Sequence, residues 1–435
     1  MNNSDGIHPA WRIEEPWPAT LVAPLRGADP PEADAFLASV ATRIADVIEV
    51  LEIQPSPDDK HPWSVVVRLP NHEVPVLVAC ERTKRMDEVP PELAAGVRDS
   101  RWSIVVESLL EVGDPRLGWG RLATVLASSA DAIAIIDATT GRWFDRAEID
   151  GDLLESELGP PEDVLWRVQA VSGHEEFDGG TLWLYTRGLL RCGLPELELL
   201  ELPGRHAASG ARLLDALAGL LLEDGAPPPE IPYPLGPDLR VALIPWTDVI
   251  ETLDPESLGS DADRRALSQE TPNPLRARRA AVCDLEPRGS FRRVWSWPLA
   301  ALEILDGPEV RVFRSDAATE RSASLARRRW PEAVDAFESA MRRSVDGSVP
   351  VLLAGVPVGG GTDGRTEHGW LQVVEIESGG GRGRLLRATI DGRPAGTELS
   401  FGVDEIDGWR LVRGQNAVGP EDSVDLEVFL TGASE

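Results

Sequence analysis

The stretch from residue 181 to residue 203 constrains the fold more than any other part of the chain. It contains two short apolar runs separated by a turn that holds Gly188 and Gly193. In the second run, Leu197 and Leu199 alternate with acidic residues. This period of two is typical of a half-buried strand. The stretch therefore predicts two strands joined by a glycine-containing turn in the middle of a folded domain.

The same alternation places two carboxylates together. Glu196 and Glu198 share one face of the second strand, whereas Glu201 falls on the other face. Closely spaced carboxylates shift each other's pKa, and a hydrolase could use such a pair as general acid and general base. A polar strand face turned to solvent explains the pattern without any chemistry. We interpret the pair as an exposed face and keep both residues as catalytic candidates.

A cysteine and a histidine near this turn offer a second catalytic reading. Cys192 follows Arg191, whose positive charge could lower the pKa of the thiol, and His206 follows the second strand. Nucleophilic catalysis requires a cysteine beside a base. A small buried cysteine is the simpler explanation, so Cys192 and His206 also remain candidates only.

The charge of the chain restricts its partners. Lysine and arginine number 43 against 73 acidic residues, which gives a net charge of −30. Such a field repels phosphate backbones and anionic lipids and attracts cationic molecules. An arginine-rich segment between residues 276 and 329 lacks the aromatic platform of a nucleic-acid site, and we expect its charges to pair within the protein. We predict neither a nucleic-acid partner nor a membrane partner.

Location and cofactors follow from what the sequence does not contain. No apolar run approaches the roughly 18 residues of a membrane span, and the first residues do not have the pattern of a signal peptide. Three widely separated cysteines favour a reducing cytoplasm over a disulfide framework. Histidines and cysteines are too scattered for a metal site. Residues 359–364 fit G-x-G-x-x-G but lead into a predicted strand rather than a helix, so we expect no cofactor.

The order of predicted elements indicates the fold class. Several strands follow one another without a crossover helix, which favours α+β architecture with mixed or antiparallel sheets and covering helices. We predict four regions: a Trp- and Pro-rich arm at 1–19, an N-terminal α+β domain at 20–225, a Pro-rich linker and connecting region at 226–323, and a C-terminal domain at 324–435. The last is expected to be a small, strongly curved antiparallel sheet with one helix.

Two parts of the sequence resemble known bacterial families. The run Trp-Leu-Tyr-Thr-Arg-Gly-Leu from Trp183, the following Glu-Leu-Glu and the upstream Asp-Ala-Thr-Thr-Gly-Arg-Trp from Asp137 resemble a family of unknown function. Its pattern has histidines where this chain has Tyr185 and Arg187. The tail, with Glu-His-Gly-Trp-Leu-Gln-Val from Glu367, resembles the YegJ-like domain, whose function is also unknown. The resemblance implies this order of modules and no activity.

From these observations we expect a cytosolic, non-catalytic interaction protein whose partner is a protein rather than a small molecule. A sharper version is an immunity-like or antitoxin-like role against a cationic effector. The alternative is a hydrolase-like enzyme that uses Glu196 and Glu198, or Cys192. The oligomeric state is left open. The candidates for partner contact are aromatic and charged residues of the two motifs: Trp183, Tyr185, Arg187, Glu196, Glu198, Glu367, His368, Trp370 and Trp409.

Overall fold

A computed structural model of the chain describes most of its residues. The described ranges are 8–13, 17–55, 62–86, 88–111, 113–154, 159–172, 180–236, 239–267, 278–288, 292–307, 312–343, 349–360, 366–377, 379–389, 392–414 and 416–421. Most of the glycine-rich loop at 359–364 lies outside these ranges. The chain forms two compact units, Met1–Ser315 and Asp316–Glu435. The predicted α+β class with mostly antiparallel sheets is confirmed.

The first unit contains two sheets. The strands of the first sheet are β1 (Ala19–Pro24), β2 (Glu49–Pro55), β3 (Trp63–Arg68), β4 (Val76–Arg82), β5 (Trp102–Ser108), β6 (Ile135–Asp137) and β7 (Arg142–Phe144). They lie in the order β2-β3-β4-β5-β1-β6-β7, and each pairs antiparallel with its neighbours. The helices of this part are α1 (Ala33–Ile44), α2 (Pro91–Asp99), α3 (Pro115–Ala127) and the single turn α4 (Arg146–Glu148).

Alternation along the strands explains how this sheet packs. Trp63, Val65 and Val67 of β3 are buried, whereas Ser64 and Val66 between them are half-buried. The Trp63 ring lies against Phe36 of α1, with ring centroids 5.9 Å apart. Asp114 caps the start of helix α3, because its side chain accepts a hydrogen bond from the Arg116 amide in the first turn. Trp119 of this helix is completely buried.

The second sheet holds the stretch with which the sequence analysis began. Its strands are β8 (Arg167–Ser172), β9 (Thr181–Arg187), β10 (Glu196–Pro203), β11 (Tyr233–Pro234), β12 (Arg240–Pro245), β13 (Arg279–Arg288) and β14 (Arg292–Ser296). The order is β11-β12-β13-β10-β9-β8, with β14 added on β13. Strands β10 and β13 run parallel, and the remaining pairs are antiparallel.

Helices cover both faces of the second sheet. On one face lies α5 (Ala207–Asp224), whose leucines pack on Leu184 and Leu199, and α8 (Leu299–Leu305) contacts α5. On the other face, α6 (Trp246–Ile250) packs against β12 and β13. A turn region then leads to α7 (Asp261–Leu267) on the same face.

The connecting region predicted at 226–323 is not a linker. Strands β11 to β14 and helices α6 to α8 fall within it, and the first compact unit continues to Ser315. The apolar run around Val282 is fully buried because β13 lies inside the sheet and helices cover both of its faces. Prolines and aspartates in the flanking turns interrupt the hydrophobic pattern, so periodicity alone does not predict this strand. The N-terminal arm also joins this unit: Trp11 is buried and donates to the Pro227 carbonyl at 2.6 Å.

The second unit is one antiparallel sheet with one long helix among its described residues. The helix is α9 (Asp316–Arg343), and the strands are β15 (Val351–Gly360), β16 (Thr366–Glu377), β17 (Gly380–Leu385), β18 (Glu398–Gly402), β19 (Gly408–Arg413) and β20 (Asn416–Val418). Their order is β18-β17-β16-β15-β19-β20. Trp330 of α9 packs on Phe401, and it shares a core with Leu371 and Trp409. Helix α9 begins at Asp316, eight residues before the predicted start of the C-terminal domain at 324.

None of the helices in the described ranges is both long enough and apolar enough to cross a bilayer.

Candidate functional site

The turn between β9 and β10 requires a glycine at its first position. Residues Leu189–Cys192 form one turn of 3-10 helix, and Gly188 before it has a φ of 129°. A Cβ at this position would lie 2.2 Å from the Leu165 carbonyl oxygen. A side chain therefore cannot be placed there without moving the backbone of a neighbouring segment.

Glu196 holds this turn together. One carboxylate oxygen accepts a hydrogen bond from the Gly188 amide at 2.7 Å, and the other accepts one from the Thr186 hydroxyl at 2.8 Å. The Leu190 amide also points at the carboxylate, at 3.4 Å. The residue is 2% exposed. The first member of the predicted acidic pair is thus a buried acceptor for backbone and hydroxyl donors.

Glu198 is buried deeper and is ion-paired. Its Oε1 accepts from Arg264 at 2.8 Å, and its Oε2 accepts from the Trp183 indole at 3.3 Å. Neither Glu198 nor Arg264 exposes any of its side chain. The interpretation of Glu196 and Glu198 as an exposed polar face is therefore wrong. The face is covered because α6, α7 and the turns between them return over it.

Arg264 is enclosed by aromatic rings as well as by its carboxylate partner. Its guanidinium lies 4.6 Å from the centroid of Trp183 and 4.7 Å from that of Trp246. Its Nε donates to the Gly259 carbonyl at 2.6 Å. Stacking on rings and a carboxylate together offset part of the cost of burying the charge. No sequence pattern indicated Arg264, which lies in a short polar helix 66 positions after Glu198.

A second arginine lies beside the same carboxylate. Arg279 is 1% exposed, its guanidinium is 5.0 Å from the ring centroid of Tyr185, and its NH1 is 3.7 Å from Glu198 Oε2. Burial lowers the pKa of Arg279, and the negative charges of Glu198 and Glu196 oppose this effect. The parallel pairing of β10 with β13 places Arg279 level with Glu196. Arg279 belongs to the arginine-rich segment whose charges were expected to pair within the protein, but no sequence pattern placed it beside Glu198.

Cys192 and His206 are engaged in separate contacts. The Cys192 thiol points at the Gly188 carbonyl oxygen at 3.9 Å, and burial raises its pKa to about 12. His206 shares a 2.8 Å hydrogen bond with Asp306, and its other ring nitrogen lies 3.1 Å from Arg205 Nε. These contacts do not form a cysteine–histidine pair, so the nucleophile reading has no geometric support.

The upstream motif meets the turn. Asp137, at the end of β6, lies 2.7 Å from Arg191, and it accepts hydrogen bonds from the Trp119 indole and from the backbone of its own turn. Arg191 also donates to the carbonyl of Leu165 at 2.9 Å. Both side chains of the ion pair are fully buried. Two separated parts of the sequence pattern thus form one polar cluster inside the first unit.

The predicted residues of the tail fall on both faces of the C-terminal sheet. Trp409 is completely buried in the core under α9, whereas Trp370 is 41% exposed on the opposite face. His368 is exposed and hydrogen-bonded to Asp407, and Glu367 is half-buried. The buried Trp409 cannot contact a partner. The same correction applies in the first unit to four further candidates: Trp183, Tyr185, Glu196 and Glu198. Arg187 is half-buried.

A metal site was not expected from the sequence. The described residues contain no group of three or more His, Cys, Asp or Glu side chains placed to hold an ion. His174, one of the scattered histidines of the chain, lies outside the described ranges.

Comparison with known proteins gives one family match. Residues 168–275 match the model of a protein of unknown function, the C-terminal part of DUF4026. This segment runs from β8 through α7, so it contains the turn between β9 and β10 together with Glu196, Glu198 and Arg264. It supports an uncharacterised domain here, while the YegJ-like character of the tail stays a prediction. No curated protein matches the chain, and no solved structure does.

Proposed function

We propose that the protein is a non-catalytic binding protein that contacts another protein through the open face of its C-terminal sheet. The observation that carries this proposal is the exposed ring of Trp370 in the middle of that face. We call the surface the Trp370 face and define it by four residues: His368, Trp370, Gln372 and Leu386. Period-two alternation places the first three on one side of β16.

The ring of Trp370 has a restricted position. Trp370 pairs with Gly355 on β15, and a Cβ on Gly408 of β19 would lie 3.3 Å from its Cη2 atom. Because two neighbouring strands carry glycine here, the indole can lie across the sheet instead of standing away from it. An aromatic ring held in this way loses little conformational entropy when a partner covers it.

Polar side-chain pairs lie on two sides of this ring. His368 is bonded to Asp407 on one side, and Arg384 pairs with Glu398 at 3.1 Å on the other. Leu386 is 45% exposed next to Trp370 and adds apolar area. An apolar anchor inside a polar rim is the layout of many protein interfaces.

The charge of the chain indicates the kind of partner. A net charge of −30 attracts basic proteins and accelerates their association at low salt. This supports a cationic partner, and an immunity-like or antitoxin-like role against a cationic effector is the sharper form of the proposal. The hydrolase alternative has less support, because its acidic pair is buried and its cysteine has a pKa of about 12.

The test is capture of partners on the immobilised full chain from a lysate of the native host, with identification by mass spectrometry. Three forms are compared: wild type, Trp370→Ala, and Met341→Ala as a control. Met341 is 46% exposed on α9 in the same unit. We expect a basic protein to be retained by wild type and by the control, released by added salt, and lost with Trp370→Ala. Equal retention by all three forms would contradict the proposal.

A further inference from the structure

We infer that the second sheet of the first unit holds a binding site for a small oxyanion, a carboxylate or phosphate group, at Arg279, Arg187 and the Tyr185 hydroxyl. We call this the Arg279 site. It lies on the sheet face that carries Glu196 and Glu198, and it is independent of the Trp370 face.

The first observation is a buried arginine with two nitrogens that lack an acceptor. Arg279 is 1% exposed, and its Nε and NH1 atoms have no hydrogen-bond partner. A buried guanidinium is costly unless hydrogen-bond acceptors compensate it, and Glu198 at 3.7 Å compensates the charge of Arg279 only in part. Such a group is a candidate for binding an anion that the free chain does not supply.

The nearby carboxylates are engaged elsewhere. Glu198 uses one oxygen for Arg264 and the other for the Trp183 indole, and its distance of 3.7 Å from Arg279 is too long for a hydrogen bond. Glu196 is held by the amide of Gly188 and the hydroxyl of Thr186. Neither side chain can turn to Arg279 without leaving its own donors.

The second observation is a cross-strand row of basic residues. The register places Arg167 opposite Arg187, and Glu196 opposite Arg279. The pairing of β10 with β9 begins at Glu198, opposite Tyr185, and Arg187 lies two residues beyond Tyr185 on the same side of β9. Arg167, Arg187 and Arg279 thus lie on three strands at this end of the sheet. Arg167 is 3.5 Å from Glu88, whereas Arg187 donates to the Ala138 carbonyl at 3.5 Å, so the charge of Arg187 has a neutral partner there.

Tyr185 lies near the charges of Arg187 and Arg279. Burial raises the pKa of its hydroxyl, and the positive charges of Arg279, Arg187 and Arg264 oppose this. Among the charges near this phenol, those of the three arginines oppose the effect of burial, whereas that of Glu196 adds to it. Arginine nitrogens and a phenol hydroxyl are suitable donors for a carboxylate or a phosphoryl group.

The test uses inorganic phosphate and acetate as separate probes on the full chain. Melting temperature is measured as each anion replaces chloride at constant ionic strength, and isothermal titration calorimetry gives the dissociation constant. A ligand that binds only the folded state raises the melting temperature with concentration. We expect saturable stabilisation of the wild type by at least one of the two anions. Phosphate alone identifies a phosphoryl ligand, and acetate alone a carboxylate.

Variants locate the site. Arg279→Gln should weaken binding at least about tenfold, since a charge-assisted hydrogen bond is lost. Arg187→Gln, at a half-buried position, should weaken it as well and serves as the deciding variant if circular dichroism shows that Arg279→Gln does not fold. Arg98→Gln, at an exposed position on α2, is the matched control and should bind as wild type does. Failure of both anions to bind wild type, or unchanged binding by a folded Arg279→Gln or Arg187→Gln, overturns the inference.

Discussion

The carboxylate of Asp137 and the guanidinium of Arg191 lie 2.7 Å apart, and neither side chain reaches solvent. Asp137 ends strand β6 of the first sheet, whereas Arg191 belongs to the turn before β10 of the second. The ion pair therefore joins the two sheets of the first unit. It brings together two segments that are 54 positions apart in the sequence.

Removing the cation from this pair should be costly. Arg191→Met leaves Asp137 charged, buried and without its partner, and we expect a loss of about 3–5 kcal/mol in the free energy of unfolding. Urea denaturation of the full chain measures it. Arg146→Gln removes a more exposed partner of Asp150 and should cost about 0–1 kcal/mol. Similar stability of the two variants would show that the buried pair has no special role.

Glu196→Gln distinguishes a structural role from a catalytic one. The hydrolase hypothesis predicts a nearly unchanged melting temperature. The contacts predict a clear decrease, because one amide group cannot accept from both Gly188 and Thr186, and an unmet buried polar group costs about 1–3 kcal/mol. Differential scanning calorimetry decides between them. Glu256→Gln, at an exposed position, is the control and should melt with wild type.

The cysteines should be unreactive in the folded protein. Burial raises the pKa of Cys192 and of Cys80 to about 12 each, so at pH 8 only about one thiol in ten thousand is a thiolate. Iodoacetamide at pH 8, followed by mass spectrometry, should label neither in native buffer and both in urea. Rapid native alkylation at Cys192 would revive the nucleophile reading.

Glu162 should destabilise the folded chain at neutral pH. Burial raises its pKa, although the Ser315 hydroxyl donates to it at 2.7 Å. A carboxyl whose pKa is higher in the folded state favours folding when protonated, so its unfavourable contribution is present above the folded pKa and fades as the pH falls through it. Glu162→Gln should therefore raise the melting temperature at pH 7.

The pH dependence is the check on that prediction. The advantage of Glu162→Gln over wild type should shrink on going from pH 7 to pH 4 in thermal melts. Asp163→Asn, at a neighbouring exposed position, should show no such trend. A lower melting temperature for Glu162→Gln at pH 7 would mean that the carboxylate is favourable as an ion.

Local patterns determined much of what the sequence predicted correctly. The alternation at Leu197 and Leu199 predicted strand β10, and the helix predicted for the C-terminal sheet is α9. Gly188, in the turn between β9 and β10, has a φ angle that a residue with a Cβ rarely adopts. These features depend on the backbone and on neighbours a few positions away, so a sequence contains them directly.

What only the tertiary structure decided is the environment of each strand face. Alternation shows that Glu196 and Glu198 share a face, but whether water or protein meets that face depends on segments that follow much later. The ion-pair partner of Glu198 comes from α7. Arg279 lies level with Glu196 because β10 and β13 pair in parallel. Such contacts are set by how separate elements pack, and no local period encodes them. The exposed face of a strand and the buried acidic cluster found here have the same sequence pattern.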